Sequence, residues 1–228
     1  MRVVGKIVVL AVAACLIVIA ARAYLGYHFF YKYGAGRAEA QSLDKSFPEL
    51  EKNLRRAVAF SKNPLFYQEM GRLYLEMALA ENKFGTPEKR DDYLNLAGDS
   101  LAELLKRNPA EAFGYYEMGK VYMLYNFPLL TYASKARQYF NKALELRPLD
   151  EELNVNVVYI YLTQWDILSH VERAFVFEAV TRNLESNESF FPQVKKLWFD
   201  QFGDVERLKA IFANDPNFWP KISRYFGN

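Results

Sequence analysis

The sequence predicts an all-α fold: an N-terminal transmembrane helix followed by an α–α superhelix of about three to four helix pairs. Three observations lead there. Ile7 to Tyr31 is a 25-residue stretch of mostly apolar and aromatic residues, against the ~20 that cross a bilayer as a helix. An eight-residue helical pattern recurs 48 residues later. Proline and glycine punctuate the apolar periodicity beyond it, as they do at helix ends.

Within the first element, Ile7 to Ala21 is an unbroken apolar run of fifteen residues. Arg22 interrupts it and could carry its charge to the interface on its flexible stem. Tyr24, Tyr27, Phe29, Phe30, Tyr31 and Tyr33 have the composition of an interfacial aromatic belt. Residues 1–37 are therefore taken as the anchor with its juxtamembrane segment, and 38–228 as the helical domain. Three fates of the segment are open. It is retained as an anchor, the reading adopted; it is cleaved at the signal-peptidase-like Ala21-Arg22-Ala23; or Val12-Ala13-Ala14-Cys15 acts as a lipobox and Cys15 is lipidated. Arg2 and Lys6 favour an inside amino terminus. The expected location is the inner (cytoplasmic) membrane, single-pass, with the C-terminal domain in the periplasm.

Charge and cysteine narrow the function. The net charge is +2, but residues 1–37 hold five basic residues and no acid, leaving 24 basic against 27 acidic residues beyond. A domain so close to neutrality argues against nucleic acid. Cys15 is the single cysteine, so an intrachain disulfide framework and a thiolate metal site are excluded.

Tyr67-Gln68-Glu69-Met70-Gly71-Arg72-Leu73-Tyr74 returns as Tyr115-Tyr116-Glu117-Met118-Gly119-Lys120-Val121-Tyr122, with five of eight positions identical. Ala97, Leu101, Leu104, Leu105 and Pro109 return as Ala136, Phe140, Ala143, Leu144 and Pro148. These residues resemble the tetratricopeptide (TPR) family, best over 64–148. That resemblance implies helix pairs in which Gly71 and Gly119 face Ala97 and Ala136. Pro109 and Pro148 would end the second helices.

The units are longer than the family's 34 residues, and the excess falls between the paired helices. Thr86 and Pro87 supply a cap and a first helical residue; Asn126 to Leu130 is the apolar counterpart. Leu50, Leu54, Ala57, Val58 and Phe60 predict a helix packing on the first unit. Val157, Val158, Tyr161 and Leu162 begin a degenerate third unit, with Glu172 to Leu184 as its second helix. A fourth pair is expected over 191–202 and 204–212, with a short helix after Pro216.

No catalytic set emerges, so an enzyme is not expected, and neither is a cofactor or metal. His28 and His170 have no cysteine or histidine at ligand spacing, and Glu151-Glu152 reads as a helix amino-terminal charge pair. The candidate partner-binding residues are Gln68, Arg72, Leu75, Phe113, Tyr116, Lys120, Met123 and Tyr159. By the resemblance they line the groove formed by successive first helices. Two cations among aromatic and apolar side chains would suit a peptide with an acidic group. The family's clamp for chaperone tails needs Asn and Lys residues that are missing here. The expectation is a membrane-anchored protein–protein interaction scaffold or assembly factor of a bacterial cell-envelope complex. A cytosol-facing membrane receptor is the alternative, and an enzyme subunit with an aromatic pocket a more distant one.

Overall fold

The computed structural model describes residues 2–40, 42–125 and 133–227. Helices and short 3₁₀ turns are the only regular structure among them. The chain divides into two compact units, residues 1–137 and 138–228.

In the first unit, α1 (Arg2–Glu39), α2 (Leu43–Phe60), α3 (Pro64–Phe84), α4 (Pro87–Arg107) and α5 (Ala112–Leu124) follow one another. In α2 the periodic residues Phe47, Leu50, Leu54 and Ala57 are buried, while Lys52, Arg55 and Arg56 face out. At the start of α3, the Asn63 side chain accepts from the Leu65 amide and Pro64 fills the first turn. The expected Thr86–Pro87 start of α4 is present, with the Thr86 hydroxyl accepting from the Lys89 amide at 3.3 Å. The excess length of the first unit goes into the helices themselves. α3 and α4 have 21 residues each, about 31 Å at 1.5 Å per residue, joined only by Gly85-Thr86.

Gly71 permits the close approach of α3 and α4, but against a different residue from the one expected. A Cβ there would come within 2.7 Å of Leu101 Cγ, and all its nearest neighbours are Leu101 atoms. Ala97, one turn away, is buried in the same core. The corresponding insertion of the second unit, Asn126 to Leu130, lies outside the described residues.

The first helix departs most from expectation. α1 runs unbroken through Arg22. Its apolar positions from Ile7 to Ile19 are 54–69% exposed, and the helix is long and apolar enough to cross a membrane. From Gly26 onward, however, it is part of the helical body. A Cβ on Gly26 would lie 2.6 Å from Ser61 Cβ at the end of α2. Phe30 stacks on Phe66 with centroids 4.7 Å apart, and Phe29 on Phe60 at 5.7 Å. Tyr33 is 5% exposed. Contacts between α1 and α3 advance in step, 27 with 63, 30 with 66, 33 with 69 and 37 with 76, so the two helices are parallel. α1 and α2 thus make a helix pair ahead of the first expected one, and the boundary placed at residue 37 falls inside a packed helix. The anticipated aromatic belt is divided: Tyr24, Tyr27 and Tyr31 are exposed, whereas Phe29, Phe30 and Tyr33 pack against protein.

The helix α6 (Ala133–Leu146) runs across the division between the units. The second unit contains its later part, then α7 (Glu151–Thr163), α8 (His170–Ser186), α9 (Phe190–Phe202), α10 (Glu206–Ala213) and α11 (Trp219–Ile222), with bounds close to those of the helices expected there. Asp150 caps α7 by accepting from the Leu153 amide, and Ser169 with Glu172 forms a capping box on α8. Val158 is fully buried. A buried amide pair fixes α7 against α8. Asn183 Nδ2 donates to Asn154 Oδ1 at 3.0 Å, while Asn154 Nδ2 donates to the Pro148 and Asp150 carbonyls.

Candidate functional site

In the first unit α1, α3 and α5 lie side by side, and a chain of polar contacts links them. The Tyr33 hydroxyl donates to Glu69 Oε2 at 3.2 Å. Arg72 reaches Glu69 at 3.3 Å and, with its Nε, Glu117 Oε1 at 3.7 Å. Lys120 Nζ donates to Glu117 Oε2 at 2.7 Å and lies 5.2 Å from the Tyr116 ring centroid. Arg37 pairs with Glu76 further along the same two helices.

This geometry joins Arg72, Lys120 and Tyr116 around Glu117, while Gln68 and Phe113 are half-buried on α3 and α5. It does not bring Leu75 and Met123 to the surface. They are 1% and 8% exposed and belong to the core, because α3 has neighbours in α1, α2, α4 and α5 and keeps only a narrow open strip. Tyr159 is half-buried on α7, in the second unit, and is assigned to that unit alone.

The two acids of the ladder were absent from the expected site, although both stand in the repeated octapeptide three residues before a cation. Glu117 is 6% exposed, and Arg72 and Lys120 neutralise it from two sides. The cations are therefore not a vacant anion site but parts of a mixed-charge ladder. A further carboxylate, Glu51, holds the core from the other side of α3. It accepts from the Tyr74 hydroxyl at 2.8 Å and pairs with Arg55. Burial, and then this hydrogen bond, push the Tyr74 phenol above its ordinary value.

The aromatic residues of the last third are divided between core and surface, with Phe199 and Phe202 exposed. Phe190, Phe191 and Trp198 are fully buried, and the Trp198 indole N–H donates to the Asp204 carbonyl at 2.9 Å. A cleft of about 460 Å³ in this unit is lined by Trp165, His170, Arg173, Phe177 and Asp215 among others. Asp215 there accepts from the Asn217 and Phe218 amides, the work of a turn. Among the described residues no group of three His, Cys, Asp or Glu side chains could hold a metal. Comparison of the chain with models of protein families and with curated proteins gives no match.

Proposed function

We propose that the protein is a membrane-anchored interaction scaffold or assembly factor whose TPR-like stack of helix pairs binds a protein segment on the α3–α5 strip. The observation that carries this reading is the side-by-side arrangement of α1, α3 and α5 with half-buried Gln68, Phe113, Tyr116 and Lys120 along it. Stacked helix pairs offer such extended surfaces to partners. A partner would lay an apolar side chain on Phe113 and Tyr116 and hydrogen-bond Gln68 and the outer edge of Lys120. α1 is read as the retained anchor in the inner membrane of a bacterium, with the remainder in the periplasm. A cytosol-facing receptor is the second reading, since the basic residues Arg2, Lys6, Arg22 and Lys32 flank the apolar run on both sides.

The test is a photo-crosslinking residue at position 68 of the full-length chain in intact membranes. Partner capture is expected, and Phe113→Ala with Tyr116→Ala should lower it at least about tenfold, the equivalent of ~1.4 kcal/mol. Undiminished capture by a variant of unchanged helicity would sink the strip as the binding face. Reversing Arg72 and Lys120 is a poor test, because it would leave Glu117 buried among carboxylates. Protease added to spheroplasts decides the side of the membrane.

A further inference from the structure

We infer that the turn between α2 and α3, with the facing part of α1, is a docking surface for anionic phospholipid headgroups. The inference rests on the reading of α1 as a membrane-crossing helix, and the helix itself sets the height of the turn. A span of ~20 residues that starts at Val3 ends at Arg22; one that starts at Ile7 ends at Gly26. Gly26 therefore lies between zero and four residues beyond the hydrocarbon, at most about 6 Å along the axis. The headgroup layer is about 5–7 Å deep on each side.

The α2–α3 turn is pinned at that level. Ser61 abuts Gly26, Asn63 Nδ2 donates to the Tyr27 hydroxyl at 2.7 Å, and Phe66 meets the Tyr27 ring edge-on at 5.3 Å. The docked turn thus enters the headgroup layer in either register of the span.

Its chemistry suits that layer. Arg22, Arg56 and Lys62 are exposed, and among the described residues none of them is in an ion pair. Residues 52 to 68 contain no acid. The flanking acids are engaged elsewhere, Glu51 with Arg55 and Tyr74, Glu69 with Tyr33 and Arg72. Tyr24, Tyr27 and Leu65 are exposed beside the cations, at 70%, 51% and 41%. Aromatic rings of this kind favour the interface, and Lys and Arg near it are drawn to anionic lipid.

The experiment uses the full-length chain in nanodiscs, with Cys15→Ser and one nitroxide-labelled cysteine at position 18, 65 or 89. Relaxation by oxygen and by a water-soluble nickel chelate reads depth. In discs containing phosphatidylglycerol, position 18 should report hydrocarbon, position 65 the headgroup layer and position 89, at the other end of the α3–α4 pair, water. Shielding of position 65 should weaken in pure phosphatidylcholine, because anionic lipid favours the deeper of the two registers. Lys62→Gln should reduce the docking equilibrium in anionic discs about fivefold, as expected for one basic residue at such a surface, and leave it unchanged in zwitterionic ones. A position 65 as open to nickel as position 89, with position 18 shielded, would overturn the docking surface while leaving the crossing helix intact. Equal shielding of position 65 in both lipids would also overturn it. Nickel access at position 18 would overturn both.

Discussion

Glu117 and Tyr74 are polar groups taken out of water, and each is stable there because of one or two named partners. A buried carboxylate without a counter-charge is strongly destabilising, so the pairing of Glu117 with Arg72 and Lys120 is a condition for α5 to lie beside α3. Half of this arrangement was readable from residue order. The acid and cation three apart recur in both copies of the octapeptide and must meet on a helix. The bond from Arg72 to Glu117 was not readable, because it needs the distance between stacked helices. Tyr74 permits a test through pH. Its phenol is raised in the fold by burial and by the bond to Glu51, so the folded state holds its proton more tightly than the unfolded chain, where tyrosine titrates near ~10. The resulting stability is fully present below ~pH 10 and is lost as pH rises towards the folded value. Tyr74→Phe should lose about 1 kcal/mol at pH 7 through the missing hydrogen bond. The gap to the parent should narrow above ~pH 10, where only the parent forfeits this linkage. Urea melts of both at pH 7 and pH 10.5 measure it, and a gap that does not change with pH would refute the assignment.

At the scale of elements, the glycines set how closely helices approach. Gly71 and Gly98 lie on the paired helices α3 and α4, and the same substitution should act on them with opposite sign. A Cβ on Gly71 would be 2.7–2.8 Å from Leu101, which is fully buried and held on all sides. A Cβ on Gly98 meets only Val121 Cγ1, at 3.8 Å. Alanine in a helix interior gains about 1 kcal/mol over glycine from propensity. Gly98→Ala should therefore stabilise by about 0.5–1 kcal/mol, while overpacking at Gly71→Ala should outweigh the gain and cost a net amount on the order of 1 kcal/mol. Leu101→Ala should cost less in the Gly71→Ala background than in the parent. Thermal melts of the four variants decide this, and equal effects at the two glycines would contradict the packing described. The element order was legible from the apolar periodicity, and the start and end of α4 from Thr86, Pro87 and Pro109, which are position-specific signals. The role of Gly26 was not, since a glycine inside an apolar run looks the same whether it faces lipid or another helix.

At the scale of the molecule, the apolar beginning and the rest of the first unit are one piece. Composition could not show this. Phe29, Phe30 and Tyr33 are as well suited to a bilayer interface as to a protein core, and the choice depends on whether a partner helix has matching residues at the right height. Phe60, Phe66, Glu69 and Leu50 supply them. The consequence is a difference between two shortened chains. One starting at Arg22 keeps every contact of α1 with α2 and α3. One starting at Ala40 removes them and opens Leu50 and Phe66, now 2% and 0% exposed, to water. Fully burying a side chain of this size is worth about 1.5–3 kcal/mol, and three aromatics of α1 take part, two of them half-buried. The loss is comparable with a sizeable fraction of the ~5–15 kcal/mol that separates a folded domain from its unfolded state. The chain from Arg22 should unfold cooperatively in urea. The chain from Ala40 should show a lower midpoint, a shallower transition and binding of a hydrophobic dye before denaturant is added. If both chains melt at the same urea concentration, α1 beyond Gly26 contributes nothing to the body, and the anchor does end near residue 37.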